Sequence, residues 1–197
     1  MGASSAEPER PYHHGNLRRA LLDAAVEAIA EKGLSDVSLR DVARRAGVSH
    51  AAPAHHFGTK AGLFTALAAD GFGRFSAAME AAADFEELGL AYVRFAVANP
   101  AVFELMFRPD LLLAGDAALS SESARAYQLL VDGAAGVAAS MRVDAHEVAV
   151  TAWSLVHGFA TLWIHGNFGN RPTDDPAPMA RAALRHALGG PGVTESA

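Results

Sequence analysis

The sequence contains no cysteine, only two tryptophans and three tyrosines, and no segment with the alternating apolar and polar residues of a β-strand. The absence of cysteine excludes disulfide bonds and thiolate metal sites, and it suits a reducing compartment, so we expect a cytoplasmic protein. Alanine is abundant instead, with 44 residues, and it is the strongest helix former. The composition therefore predicts an all-α fold.

We expect neither a secretion signal nor a membrane span in this chain. Residues 1–11 are polar and lack the apolar core of a signal peptide. The longest apolar stretch, Val148–Ile164, is interrupted by Thr151, Ser154 and His157 and has no flanking Lys or Arg. Because it is also short for a full span, we predict a buried helix and no membrane association.

The net charge of −6 is unevenly distributed along the chain. Residues 1–60 carry 8 Lys and Arg against 7 Asp and Glu, and they include five of the nine histidines. Residues 61–197 carry 8 basic against 15 acidic residues. A first part near neutrality can still hold phosphates if its arginines share one surface. The asymmetry indicates that the two parts have different roles.

Helical periodicity and capping signals divide the chain into helices joined by short turns. We predict disordered tails at 1–11 and 189–197, a DNA-binding domain at 12–60, and a helical ligand-binding and dimerisation domain at 61–188. The predicted helices span about 16–32, 39–46, 50–57, 60–82, 85–98, 100–107, 121–141, 145–165 and 176–188, with a loop at 108–119.

Two short predicted helices with a glycine turn between them have the form of a helix-turn-helix. Ser38 is an N-cap with Asp41 three residues later, which gives a start similar to a capping box. Gly47 can adopt the backbone conformation that the tight turn needs. Ser49 is the expected cap of the second, recognition helix, whose first turn would then enter the major groove.

The recognition helix has a small or polar face and a packed face. The first face contains His50, Ala51, Ala54 and His55, whereas Phe57 fits the packed side. Nearby arginines are either phosphate contacts or simply solvated surface residues. The predicted DNA contacts are Ser38, Arg40, Arg44, Ser49, His50, Ala51, Ala54, His55, His56, Thr59 and Lys60.

At these positions the chain resembles the tetracycline-repressor-like (TetR) family of regulators. The similar segments are Tyr12 to Ala25, Ser38 to Ala43, Ala46 to Ser49, and His56 to Lys60 with Leu63. The resemblance covers about residues 12–72 and implies a regulator that binds palindromic operator DNA. The family commonly has a tyrosine that touches the DNA backbone where this chain has Ala54, so that contact is missing here.

The second part places aromatic side chains at helical spacing. Phe103, Met106 and Phe107 share one face of a short helix, and Trp153 and His157 lie one turn apart on a later helix. Such residues line either an ordinary core or an apolar ligand pocket. The predicted ligand-binding residues are Tyr92, Phe95, Phe103, Met106, Phe107, Trp153 and His157, with His157 as the polar contact.

The second part also resembles one C-terminal subfamily of the same regulators, which contains a Trp-His-Gly pattern. The resemblance rests on Tyr92 to Phe95, Asn99-Pro100, Phe103, Met106-Phe107, Trp153 and His157-Gly158. It implies a small-molecule effector and a homodimer formed by the last two long helices. The predicted dimer interface contains Ala160, Trp163, Ile164, Met179, Ala183 and His186.

Catalysis is not expected from the motifs of this chain. His55 and His56 point about 100° apart on a helix, so they cannot share one metal ion, and no HExxH pattern, phosphate loop or nucleophile elbow occurs. We therefore predict no metal, no cofactor and no enzyme activity. A repressor released by a mainly apolar ligand is the leading hypothesis, and an activator or a regulator without an effector remains open.

Overall fold

The computed structural model describes residues 14–169 and 174–188, and these form helices and turns without a strand. The all-α prediction is therefore confirmed. The chain divides into two compact units between Leu63 and Phe64. The tails predicted at 1–11 and 189–197 lie outside the described residues.

The first unit contains α1 (His14–Asp36), α2 (Leu39–Arg45), α3 (Ala52–Phe57) and the first turn of α4 (Lys60–Glu80). Helical geometry in α1 is interrupted at Gly33, where φ is 76° and ψ is 167°. Helices α1 and α2 bury one apolar face each, and that burial gives the unit its core. The core side chains include Leu21, Leu22, Ala25, Ala28, Ile29, Val42, Ala43 and Leu63.

The turn after α2 places the recognition helix. Gly47 has a φ of 67°, and its N–H donates to the carbonyl of Arg44, while the N–H of Val48 donates to the carbonyl of Ala43. Glycine adopts this left-handed conformation without the steric cost that a β-carbon adds. The predicted glycine turn is present.

Recognition helix α3 begins two residues later than predicted, so the prediction that Ser49 caps it is wrong. The N-cap residue is Ala51, whose side chain accepts no hydrogen bond. The backbone carbonyl of Ser49 instead accepts the N–H of Ala52 at 3.0 Å, which forms a turn before the helix. Pro53 stands in the first turn, where its missing N–H removes one donor that a cap would otherwise satisfy.

The second unit contains the rest of α4 and five further helices. These are α5 (Phe85–Ala98), α6 (Pro100–Met106), α7 (Ala117–Met141), α8 (Ala145–Ile164) and α9 (Ala177–Ala187), with a 3₁₀ turn at Pro109–Leu111. Helix α7 starts four residues earlier than predicted because Asp116 caps it, accepting the N–H of Leu119 at 2.9 Å. The predicted loop at 108–119 is correspondingly shorter and contains the 3₁₀ turn.

Helix α8 packs against α5, α7 and α9 and is the central helix of the second unit. By length and composition alone it could cross a membrane, as core helices of other proteins also could. Its buried residues are Val148, Ala149, Ala152, Val156, Phe159, Ala160 and Trp163. The opposite face exposes Val150 and Leu162, so α8 presents apolar surface on two sides.

Helix α9 is attached to α5 by packing and by ion pairs. The side chain of Leu184 lies against Gly89, where a β-carbon would approach it within 2.8 Å. Arg181 pairs with Glu86 and Glu87, and Arg185 pairs with Glu86. These four charged residues therefore link α9 to α5 and are not simply solvated surface residues.

Candidate DNA interface and effector cavity

The start of α2 is fixed by the capping pair predicted from the sequence. The hydroxyl of Ser38 accepts the N–H of Asp41 at 3.2 Å and donates to its carboxylate at 2.7 Å. Lys32 also pairs with this carboxylate at 2.9 Å. The hydrogen bonds from Ser38 and Lys32 hold the pKa of Asp41 well below its usual range.

Basic side chains surround α2 on the surface of the first unit. Arg40 and Arg44 are exposed, and Arg44 lies 3.6 Å from the Asp41 carboxylate. Arg45 pairs with Glu31, and Arg18 lies 5.4 Å from the ring centre of Phe57. Exposed guanidinium groups such as Arg40 and Arg44 can bind phosphate oxygens in two-point geometry.

The recognition segment has the exposed face that the sequence predicts. His50 and Ala51 lie in the turn before α3, and Ala54 and His55 lie on the helix itself. All four are exposed, as is Ser49, whereas His56 is half-buried and Pro53 is buried. A surface of imidazoles and methyl groups can approach base edges in a major groove closely.

The first turn of α4 lies beside this surface in the same unit. The hydroxyl of Thr59 accepts the N–H of Gly62 at 3.0 Å, so Thr59 caps α4 as predicted. The ammonium group of Lys60 donates to the carbonyl of Ser35 at 2.9 Å and is partly exposed. Positive charge beside helix N-terminal amides is a setting that favours phosphate binding.

The second unit contains a cavity of about 400 Å³. Three of the predicted ligand residues, Tyr92, Phe107 and Trp153, line it. The wall contains six aromatic rings and no charged residue. The full lining is Phe72, Phe75, Met79, Tyr92, Phe107, Ser123, Ala126, Tyr127, Leu130 and Trp153.

Seven wall residues are absent from the predicted set because they come from α4 and α7, where the sequence pattern predicts no pocket. Phe72, Phe75 and Met79 recur at intervals of three and four residues along α4, so they share one face. Ala126 and Leu130 show the same spacing on α7. This periodicity identifies two buried faces, but it does not distinguish a cavity wall from a filled core.

Two side-chain contacts link Tyr92 and Trp153 of the cavity wall to each other and to His157, which lies outside the wall. The indole N–H of Trp153 donates to the hydroxyl of Tyr92 at 3.1 Å, and that hydroxyl lies 2.9 Å from Nδ1 of His157. Burial raises the pKa of the Tyr92 phenol, and burial lowers the pKa of His157. Both side chains are therefore uncharged at neutral pH.

Four predicted ligand residues do not line this cavity. Phe95 packs 5.1 Å from the Phe75 ring, and Met106 packs against Gly71. Phe103 and His157 line a separate groove of about 240 Å³ instead, together with Phe107. His157 does not line the larger cavity, and its Nδ1 lies 2.9 Å from the hydroxyl of Tyr92, so its polar contact with a ligand stays a prediction for the groove.

The predicted dimer residues fall into two groups. Ala160 and Trp163 are buried within their own chain, where Phe159 and Phe168 lie near the indole of Trp163, so neither offers surface to a second copy. The prediction is wrong for these two residues. The partly or fully exposed members are Ile164, Met179, Ala183 and His186.

Comparison with known proteins gives matches to both units. The family described as "Bacterial regulatory proteins, tetR family" matches residues 21–67, and "Tetracyclin repressor-like, C-terminal domain" matches residues 85–187. The HTH-type transcriptional regulator BetI of Escherichia coli is 47% identical over 53 residues, which is 27% of either chain. The chain therefore matches only about a quarter of the length of this relative.

Solved structures match over most of the chain. A protein with unknown function from Rhodococcus sp. RHA1 has a TM-score of 0.77 and 34% identity, covering 92% of this chain and 98% of its own. The TetR family transcriptional regulator PfmR from Thermus thermophilus has a TM-score of 0.65 and 22% identity, covering 87% and 98%. The second likeness shows the shared fold.

Proposed function

The chain belongs to the tetR family of bacterial regulatory proteins and is a DNA-binding transcriptional regulator, and we propose that it represses transcription until a small apolar effector releases it from its operator. The part of this proposal that concerns the effector is supported by the aromatic, uncharged cavity of about 400 Å³ in the second unit. Cavities of this size and composition are typical of small-molecule sites. Membership of the subfamily with the Trp-His-Gly pattern stays a prediction.

The proposed DNA contacts divide into base contacts and phosphate contacts. His50, Ala51, Ala54 and His55 face outward from the recognition segment and would read base edges in the major groove. The phosphate contacts would come from α2 and the residue before it, from the two ends of the recognition segment, and from the start of α4, and they would position the recognition helix without reading sequence. These are Ser38, Arg40, Arg44, Ser49, His56, Thr59 and Lys60.

A homodimer would bring two recognition helices to one palindromic operator. We propose that the exposed face of α8 pairs with its copy, because Val150 and Leu162 are both at least 40% exposed there. Gly158 lies between them on the same helix, and a β-carbon added to it would meet nothing within 4 Å. Ile164, Met179, Ala183 and His186 would extend this interface onto α9.

Helix α4 provides a route from the effector to DNA. It begins at Lys60 beside the proposed phosphate contacts, and further along it carries Phe72, Phe75 and Met79 of the cavity wall. An effector that requires a different position of these three side chains would favour a second position of α4. Such a ligand shifts the population between two states by the difference in its affinity for them.

Selection of bound fragments from random duplex DNA tests the operator half of the proposal. We expect a palindrome whose half-site centres are about 10 base pairs apart or a multiple of that spacing, since a two-fold dimer binds one face of the duplex. A His50→Ala variant selected in parallel should recover an altered base preference. Recovery of DNA without a shared sequence by the parent protein would contradict sequence-specific regulation.

A further inference from the structure

The polar groups in the cavity wall are all engaged by the protein itself. Four of the ten wall residues have a polar side-chain group: Tyr92, Ser123, Tyr127 and Trp153. Ser123 donates to the backbone carbonyl of Ser120 at 3.2 Å, and Tyr127 is bonded to the exposed His146 at 2.9 Å. Tyr92 and Trp153 are bonded to each other, as described above.

The hydroxyl of Tyr92 contacts both Trp153 and His157. It accepts the indole N–H of Trp153, and both Tyr92 and Trp153 line the cavity. The same hydroxyl lies 2.9 Å from Nδ1 of His157, and in the tautomer that carries the ring proton on Nε2 the hydroxyl donates to Nδ1, so that its own proton is taken by a residue outside the cavity lining. A phenylalanine here would fill the same space but would leave the indole N–H without a partner.

With the Trp153 indole N–H bonded to Tyr92, and with both tyrosine hydroxyls donating to their histidines, a ligand with a buried hydrogen-bond acceptor would lose its water without gaining a donor. An unpaired buried polar group costs free energy, whereas a hydrocarbon gains from leaving water. The aromatic rings of Phe72, Phe75 and Phe107 complete a wall that suits another ring in an edge-to-face arrangement. Space is sufficient, since engineered cavities of about 150 Å³ already bind benzene.

We infer that Tyr92 is a specificity-determining residue that restricts this cavity to uncharged, hydrocarbon-like aromatic effectors by keeping the Trp153 donor occupied. This inference rests on the proposed function, because it assumes that the cavity is the effector site. It adds the chemical class of the effector and the residue that excludes carbonyl compounds of the same shape.

Two probes of nearly identical shape test the inference by titration calorimetry. They are α-methylstyrene and acetophenone, which differ only in a methylene group replaced by a carbonyl oxygen. The parent protein should bind α-methylstyrene more tightly. In Tyr92→Phe the freed indole N–H can bond the ketone, so the affinity ratio should shift toward acetophenone by about threefold to tenfold, the usual value of one hydrogen bond.

Two further variants make this result specific. Tyr127→Phe removes a hydroxyl from the same cavity wall but not the partner of the indole, so the affinity ratio should stay within about twofold of the parent value. The double variant Tyr92→Phe/Trp153→Phe lacks the freed donor, so it should lose the gain for acetophenone. Thermal unfolding of each variant checks that the removed groups have not unfolded the second unit.

Opposite outcomes separate the inference from the proposed function. If Tyr92→Phe leaves the ratio unchanged or disfavours acetophenone, Tyr92 does not sequester the donor and the inference is wrong. If phenyltrimethylammonium binds more tightly than the isosteric tert-butylbenzene, the rings form a cation site and the uncharged class is wrong. If no aromatic probe binds the parent, the effector cavity itself is refuted, and the inference with it.

Discussion

The two candidate binding regions differ in how their polar groups are used. On the recognition segment His50 and His55 are exposed, and neighbouring Arg40 is exposed as well. In the cavity, Tyr92 and Trp153 have their polar atoms bonded inside the protein. DNA binding should therefore respond to single charges and to salt, whereas effector binding should respond to the volume and polarity of the wall.

The largest effect is expected from a variant that prevents dimerisation, because it should weaken DNA binding and leave ligand binding in the cavity unchanged. Leu162→Glu places a charge on the exposed face of α8, where a partner helix would bury it. Operator affinity should fall by about a hundredfold or more, because two linked half-sites bind far more tightly than one. Light scattering should show a monomer, and the affinity for α-methylstyrene should be unchanged.

Ala124→Glu on the exposed side of α7 is the matched control and should remain dimeric. Ala160→Glu is unsuitable for this purpose, because Ala160 is fully buried and a charge there should unfold the second unit. A parent protein that is monomeric at micromolar concentration would refute the dimer.

A variant that fills the cavity should instead weaken ligand binding and leave DNA binding unchanged. Ala126→Phe places a ring in the space that we propose for the effector, so the affinity for α-methylstyrene should fall by about tenfold or more. Operator binding without a ligand should stay within about twofold of the parent value. Calorimetry and fluorescence anisotropy measure the two affinities, with exposed Ala124→Phe as the control. Equal losses of both affinities would indicate general damage to the fold.

Removal of one positive charge from the proposed DNA-binding surface of the protein should weaken DNA binding without changing the preferred sequence. Lys60→Ala should lower the affinity for all DNA sequences, and it should reduce the slope of log affinity against log salt by about one unit. Anisotropy titrations at several salt concentrations give both quantities. A shift in the preferred sequence with unchanged affinity would show that Lys60 does not contact a phosphate.

A gain of contact is expected at Ala54. This residue is exposed on α3, and its methyl group is too short to reach a phosphate. Ala54→Tyr adds a hydroxyl worth about 1 kcal/mol if it bonds the DNA backbone, so affinity should rise several-fold. The preferred operator should not change. Loss of binding would mean that α3 approaches the DNA too closely for a larger side chain.

The smallest effect concerns the stability of the first unit and its dependence on pH. Because the folded state lowers the pKa of Asp41, this carboxylate stabilises the protein above the ordinary Asp pKa of about 3.9. The contribution is lost as the pH falls from about 4 through the lower folded value. Asp41→Asn should therefore lower the unfolding midpoint in urea at pH 7, and the difference should shrink at pH 3.

Features encoded by neighbouring residues were predictable from the sequence. Ser38, Asp41 and Gly47 act within a few residues of one another, so their cap and turn could be predicted from spacing alone. The cap at Ser49 was wrong because Pro53 permits a later helix start without a side-chain cap. Local signals therefore identify the motif more reliably than the first residue of its second helix.

Features that depend on packing between distant helices were predicted only in part. Phe107 and Trp153 do line the cavity, but nothing in the sequence distinguishes them from Phe95 and Phe103, which pack elsewhere. Trp163 was assigned to a dimer interface, yet Phe159 and Phe168 lie near it within the chain. The apolar pattern shows that a face is buried but not which neighbour buries it.

The most direct test of the account measures the coupling between operator and effector in both directions. Operator affinity is determined by anisotropy with and without saturating α-methylstyrene, and α-methylstyrene affinity is determined by calorimetry with and without operator. The account predicts that each ligand weakens the other by the same factor, about fivefold or more. Binding of α-methylstyrene in the cavity with no change in operator affinity would contradict it.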